Sequence, residues 1–77
     1  MDELLAFLAK GLVEAPDEVR VGHFSADDGT LVLELSVADG DYGRIIGRGG
    51  RTANALRTVI KAAAVRAEQR VLVDIVD

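Results

Sequence analysis

The sequence predicts an α+β domain in which a three-stranded sheet carries helices on one face, in the order α-β-β-α-α-β. Three observations predict it. Two long stretches place apolar residues at helical spacing, three shorter ones run apolar at period two, and a glycine-rich segment, IIGRGGRT over residues 45–52, divides the last helical region. With 77 residues, 49% of them hydrophobic, the chain is expected to form one domain with a single layer of helices packed on a sheet. A domain of this size buries only about 60% of the surface its unfolded chain exposes, so every packed side chain counts.

Residues 2–14, DELLAFLAKGLVE, set Leu4, Leu5, Leu8, Leu12 and Val13 on one helical face, with Asp2 and Glu3 at the end where the helix dipole favours acids. Ala15-Pro16-Asp17 ends that helix, because Pro16 cannot continue the hydrogen-bond ladder. Val19 to Phe24 reads as a strand, Asp28-Gly29 as a hairpin turn, and residues 30–37, TLVLELSV, as a second strand with Leu31, Leu33, Leu35 and Val37 on one face. Asp39 is a candidate N-cap for a short helix over residues 40–46. Residues 51–67 form the clearest helix, with Leu56, Val59, Ile60, Ala63 and Ala67 facing the core and Asn54, Arg57, Thr58 and Lys61 opposite. Val71, Val73 and Ile75 alternate as the last strand. No linker, internal repeat or low-complexity segment interrupts the order.

Composition excludes several classes. There is no cysteine, hence no disulfide and no thiolate metal site, and the single histidine, His23, cannot build a histidine zinc centre. His23 has no carboxylate nearby in sequence, and a structural role is expected of it. No apolar run is long enough to span a bilayer and the N-terminus is acidic, so a soluble cytoplasmic protein is expected. No nucleophile, base and orienting group form a catalytic set, and no cofactor is implied.

The net charge of −4 argues at first against nucleic acid, but the charges are segregated. Residues 1–40 hold nine acidic residues against Lys10 and Arg20, whereas residues 41–70 hold seven basic ones against Asp41 and Glu68. Because the attraction to phosphate is screened beyond about 8 Å at physiological salt, the local basic segment sets the interaction.

That segment contains the glycines. Gly47, Gly49 and Gly50 join a short helix to a long one, whose first amides lack intrahelical partners and carry the positive end of the dipole. Glycines let an anion approach such an end, and Arg48 and Arg51 flank it. A nucleotide P-loop would need a glycine where Ile45 stands, a lysine where Arg51 stands and a preceding strand; a dinucleotide fingerprint fails for want of a strand as well.

Ile46-Gly47-Arg48-Gly49-Gly50 between two helices, followed by Thr52, Ala53 and Leu56, resembles the Gly-x-x-Gly loop of KH domains, which clamps four nucleotides of a single strand by their backbone. The α-β-β-α-α-β order resembles the type II KH arrangement. Over the whole chain, including PDEVRV, YGRIIG and RTANALRTVIKAAA, the sequence is similar to the small bacterial stand-alone KH proteins of the KhpA family. The resemblance implies single-stranded RNA as ligand, with Gly47, Arg48, Gly49 and Gly50 as the loop, Arg48 and Gly49 in its variable positions, and Ile45 and Ile46 lining the groove for bases. Arg44 and Arg51, near the loop, are expected to contact RNA; Arg57, Lys61 and Arg66 are expected to be a solvated helix face. Tyr42 packs or caps beside Asp39, or stacks on a base, and Gly43 serves close packing or the ligand.

The resemblance further implies a homodimer, a KhpB (Jag/EloR)-like KH partner, and a post-transcriptional or RNA-chaperone role linked to cell elongation, division and shape. Only one variable loop position is basic and the connection near Glu68-Gln69 is short, which points to modest affinity. The competing reading is a protein-interaction module with a KH fold and residual RNA affinity. Val32, Leu72 and Val76, out of phase with the core-facing strand residues, point to the uncovered face of the sheet and to a partner there.

Overall fold

In the computed structural model, which describes residues 1–77, the chain runs α1 (Asp2–Lys10), β1 (Arg20–Ser25), β2 (Leu31–Ser36), α2 (Tyr42–Ile46), α3 (Arg51–Arg66) and β3 (Val71–Ile75). Single 3-10 turns at Pro16–Glu18, Asp39–Asp41 and Arg48–Gly50 join them. The predicted α+β order therefore forms, with boundaries shifted by a few residues. The first helix is shorter than its apolar spacing predicts: Gly11 caps it after Lys10, and Leu12 lies beyond its end, 40% exposed.

The sheet starts at the predicted hairpin. Gly29 takes φ 87°, its amide donates to the Ala26 carbonyl at 2.9 Å, and the Ala26 amide donates to the Thr30 carbonyl at 2.8 Å. The Thr30 amide donates to Asp28 Oδ1 at 2.9 Å, and this bond is the main reason the Asp28 carboxyl titrates below its ordinary range. β1 pairs antiparallel with β2, and β2 pairs parallel with β3, giving the order β1-β2-β3. A parallel pair needs a long crossover, and residues 37–70 supply it, carrying α2, the glycine loop and α3.

The register assigns each strand residue to a face. His23, Leu33 and Val73 lie in one row, and Val21, Leu35 and Ile75 in another, both under the helices. Leu5, Leu33, Leu35, Ile45 and Ile60 are the largest fully buried side chains, each contributing about 2 kcal/mol by removal from water. The buried stripe of α3 is Ala53, Leu56, Ile60 and Ala64; Val59 and Ala67, expected on that face, are exposed. The buried stripe follows the 3-4-4 spacing that faces the sheet, and Val59 sits one residue off it.

Two further expectations are corrected. Asp39 makes no capping hydrogen bond, and the working carboxylate is Asp41, 4% exposed. Its two oxygens accept the Glu14 and Ala15 amides at 3.1 Å each, tying the loop after α1 to the start of α2. His23 does have a carboxylate partner: Nδ1 meets Asp2 Oδ2, brought from the first turn of α1 by the packing of that helix on β1. Tyr42 packs. Its hydroxyl donates to the Val76 carbonyl at 2.5 Å and accepts the Val37 amide at 3.4 Å, fastening the end of β3 to the end of β2.

Candidate nucleic-acid interface

The glycine segment is a link of two sharp turns between α2 and α3. The Gly47 amide ends α2 by donating to the Gly43 carbonyl at 2.9 Å, after which Gly47 takes φ 73°, ψ 171° and the chain turns away from the helix axis. The Gly50 amide returns to the Gly47 carbonyl at 3.1 Å, and the Arg51 amide donates to the Arg48 carbonyl. Gly49 and Gly50 also lie at positive φ, 64° and 79°, so α3 begins directly from a left-handed cap.

Thr52, in the first turn of α3, presses on the back of this link. A Cβ placed on Gly47 would lie 2.3 Å from Thr52 Oγ1 and 2.9 Å from the Thr52 amide nitrogen, so the helix and the loop fit only without a side chain at residue 47. Neither Gly49 nor Gly50 meets anything within 4 Å; they face outward. Nor does Gly43, whose role in close packing is therefore absent.

Arg48 and Arg51 are exposed on either side of the loop, and neither takes part in any of the three ion pairs or in a side-chain hydrogen bond. Arg44 differs. Its guanidinium meets Glu14 Oε1, and Nε lies 3.4 Å from Asp41 Oδ1, so its charge is already matched by two carboxylates from the loop after α1 and the turn before α2.

A groove of about 510 Å³ runs between α3 and β3. Its walls are Arg57, Lys61, Ala64 and Val65 from the helix and Leu72 and Val73 from the strand, with Arg70 closing one end. Arg57 Nε donates to the Val73 carbonyl at 3.4 Å and Nη1 to Asn54 Oδ1 at 3.5 Å, which lays its guanidinium along the groove. Val65 and Leu72 are 68% and 54% exposed. Arg51, Asn54, Arg57 or Thr58, Lys61 and Val65 follow one another at intervals of three and four, so a line about 21 Å long descends α3 from the loop into the groove.

The fold divides the two isoleucines that the resemblance implies as groove lining. Ile45 is fully buried in the core and closed to any ligand; Ile46 is 43% exposed beside the loop; the groove floor comes from Ala64, Val65, Leu72 and Val73. Arg57 and Lys61, expected as a plain solvated face, line the groove, whereas Arg66 does not. The spacing of Arg57, Lys61 and Val65 held that signal, but only the strand order places β3 beside them.

Residues 2–75 match the family model described as KhpA/KhpB, KH domain. The chain is 50% identical over 76 residues to the RNA-binding protein KhpA of Clostridium acetobutylicum, covering 99% of this chain and 100% of that one. It is 49% identical over 78 residues to the RNA-binding protein KhpA of Halalkalibacterium halodurans, with both chains covered in full. Among solved structures, it resembles Aquifex aeolicus Era bound to GDP and AlF4⁻ (TM-score 0.62). It also resembles Era in complex with MgGDPNP and nucleotides 1506–1542 of 16S ribosomal RNA (TM-score 0.63). Both are 19% identical, and 96% of this chain spans only 28% of each Era chain; the likeness is one of fold.

Proposed function

This chain belongs to the KhpA/KhpB KH-domain family, and we propose that it binds single-stranded RNA by clamping the backbone at Gly47–Gly50 and seating bases in the α3/β3 groove. The observation that carries this reading is the pair of unmatched cations, Arg48 and Arg51, at the loop from which α3 runs on to line a largely apolar groove. The loop amides and these guanidinium groups take two or three phosphates, and charge-assisted bonds of this kind are the strong ones. Bases lie on Val65, Leu72 and exposed Ile46, with Arg57 and Lys61 along the rim. Arg44 and Ile45 are left out, the first by its ion pairs and the second by its burial. The protein binds and performs no chemistry.

So few phosphate contacts predict a shallow salt dependence. The logarithm of affinity for a short RNA should fall with the logarithm of salt at a slope of about −1.4 to −2, at roughly −0.7 per phosphate on a single strand. A slope near zero would remove the phosphate clamp; one steeper than about −4 would need a far longer backbone track than the loop offers.

Affinity for one domain is in the micromolar range and rises when two loops engage one RNA. The proposal therefore includes a homodimer and a KhpB-like KH partner, acting post-transcriptionally or as an RNA chaperone in cell elongation and division. Sedimentation at tens of micromolar is expected to give twice the chain's mass; a monomer there would remove the homodimer. No helix of the structure is long and apolar enough to cross a membrane.

A further inference from the structure

The sheet's second face, which no helix covers, has a character of its own. The register sets Phe24, Val32 and Leu72 side by side across all three strands. Phe24 and Leu72 are 49% and 54% exposed, and Val32 between them, 8% exposed, lies outside the core cluster under the helices. The next row is Gly22, Glu34 and Asp74. Two carboxylates thus stand directly opposite each other on paired strands, an arrangement that is unfavourable without a counter-charge.

Neither Glu34 nor Asp74 belongs to any ion pair in the molecule. The arginines at the corners of the face are turned elsewhere: Arg20 donates to the Asp17 and Val19 carbonyls, and Arg70 to the Asp28 carbonyl. An apolar row beside an unmatched acidic row repels RNA. A second copy docked on the same face would set carboxylates against carboxylates.

We propose that this open face docks a basic amphipathic helix of another protein. Dimensions and charge both fit that occupant. Three strands about 4.8 Å apart make a face about 10 Å wide between its outer strands, the diameter of one helix. The rows lie about 7 Å apart along a strand, close to the rise of about 6 Å between residues i and i+4 of a helix. A helix lying along the strands sets an apolar residue on Phe24, Val32 and Leu72 and a lysine or arginine one turn away on Glu34 and Asp74. This surface lies on the opposite side of the sheet from the helices and shares only the edge residue Leu72 with the groove; its occupant does not depend on RNA binding.

The probe is a peptide of about 18 leucine and lysine residues in helical pattern, long enough to hold a helix, titrated into the isotope-labelled full chain and followed by amide chemical shifts. Its leucine–glutamate counterpart is the control. The lysine peptide is expected to move the amides of Phe24, Val32, Glu34, Leu72 and Asp74, and the glutamate peptide to leave them in place. The double variant Glu34→Lys, Asp74→Lys changes two surface side chains that hold nothing in the fold, and it should lose about tenfold or more in affinity for the lysine peptide. It should also gain binding of the glutamate peptide. Glu34→Gln, Asp74→Asn should fall between the two. Shifts confined to α3, equal shifts with both peptides, or unchanged affinity in the reversed variant would overturn the proposal. So would the same amides moving with protein concentration alone, which would make the occupant a second copy, or the amides of Phe24, Val32 and Glu34, which lie outside the groove, moving on addition of RNA.

Discussion

Gly47→Ala is expected to melt far below the parent protein, by on the order of 15–20 °C, and to lose the shape of the loop with it. Two costs fall on the same residue. The conformation φ 73°, ψ 171° belongs to a region that is essentially glycine's alone, worth roughly 1–3 kcal/mol against any other residue. The new Cβ would also lie 2.3 Å from Thr52 Oγ1 and 2.9 Å from a backbone nitrogen that cannot move without shifting the first turn of α3. Forced overpacking of that kind adds roughly 1–3 kcal/mol. A 77-residue domain has on the order of 4–12 kcal/mol in all, so the sum is a large share of it. Gly49→Ala is the internal comparison: its φ is positive but nothing lies within 4 Å, and it should lose only about 1 kcal/mol. Equal melting temperatures for Gly47→Ala and the parent, read by circular dichroism, would show that residue 47 does not set the loop.

The double variant Arg48→Asp, Gly49→Asp is expected to lose RNA binding by about 30–100-fold while staying folded. Arg48 is exposed and unpaired, so replacing it removes a cation and no structural contact. Gly49 sits at φ 64°, ψ 17°, in the left-handed region, and aspartate is among the side chains that enter it most readily. Its new carboxylate points into open space in front of the loop. Two acids then meet the phosphates that a guanidinium and bare amides met before. A melting temperature close to the parent's separates loss of contact from loss of fold.

Much of the fold was legible because each element carries a local signal. Asp28-Gly29 announces the hairpin and the alternation of Leu31, Leu33 and Leu35 the central strand, whereas the first helix stops at Gly11, well before the Pro16 expected to end it. The glycine loop was legible as a sharp link for the same reason, since three glycines between two helical stretches mark it locally. What stayed hidden depends on which elements become neighbours. Ile45 and Ile46 are adjacent in sequence and equally apolar, yet one is fully buried and the other 43% exposed, because α2 turns only one face to the core. Arg57 and Lys61 became groove residues only when β3 took the edge of the sheet beside α3. Arg44 and Asp41 are likewise bound to partners nearly thirty residues away, which no local pattern discloses. Phe24 gained its meaning from the register, which set it in line with Val32 and Leu72.

The central claim is that the Gly47–Gly50 loop is the RNA clamp, and fluorescence anisotropy of short single-stranded RNAs tests it most directly. The parent chain, the Arg48→Asp, Gly49→Asp variant and a control with Arg66→Asp, a basic residue outside the groove, are titrated side by side at one salt concentration. The account predicts binding by the parent and the control and its loss in the folded loop variant. Equal binding by all three, or none by the parent, would contradict it and leave the domain as a protein-interaction module.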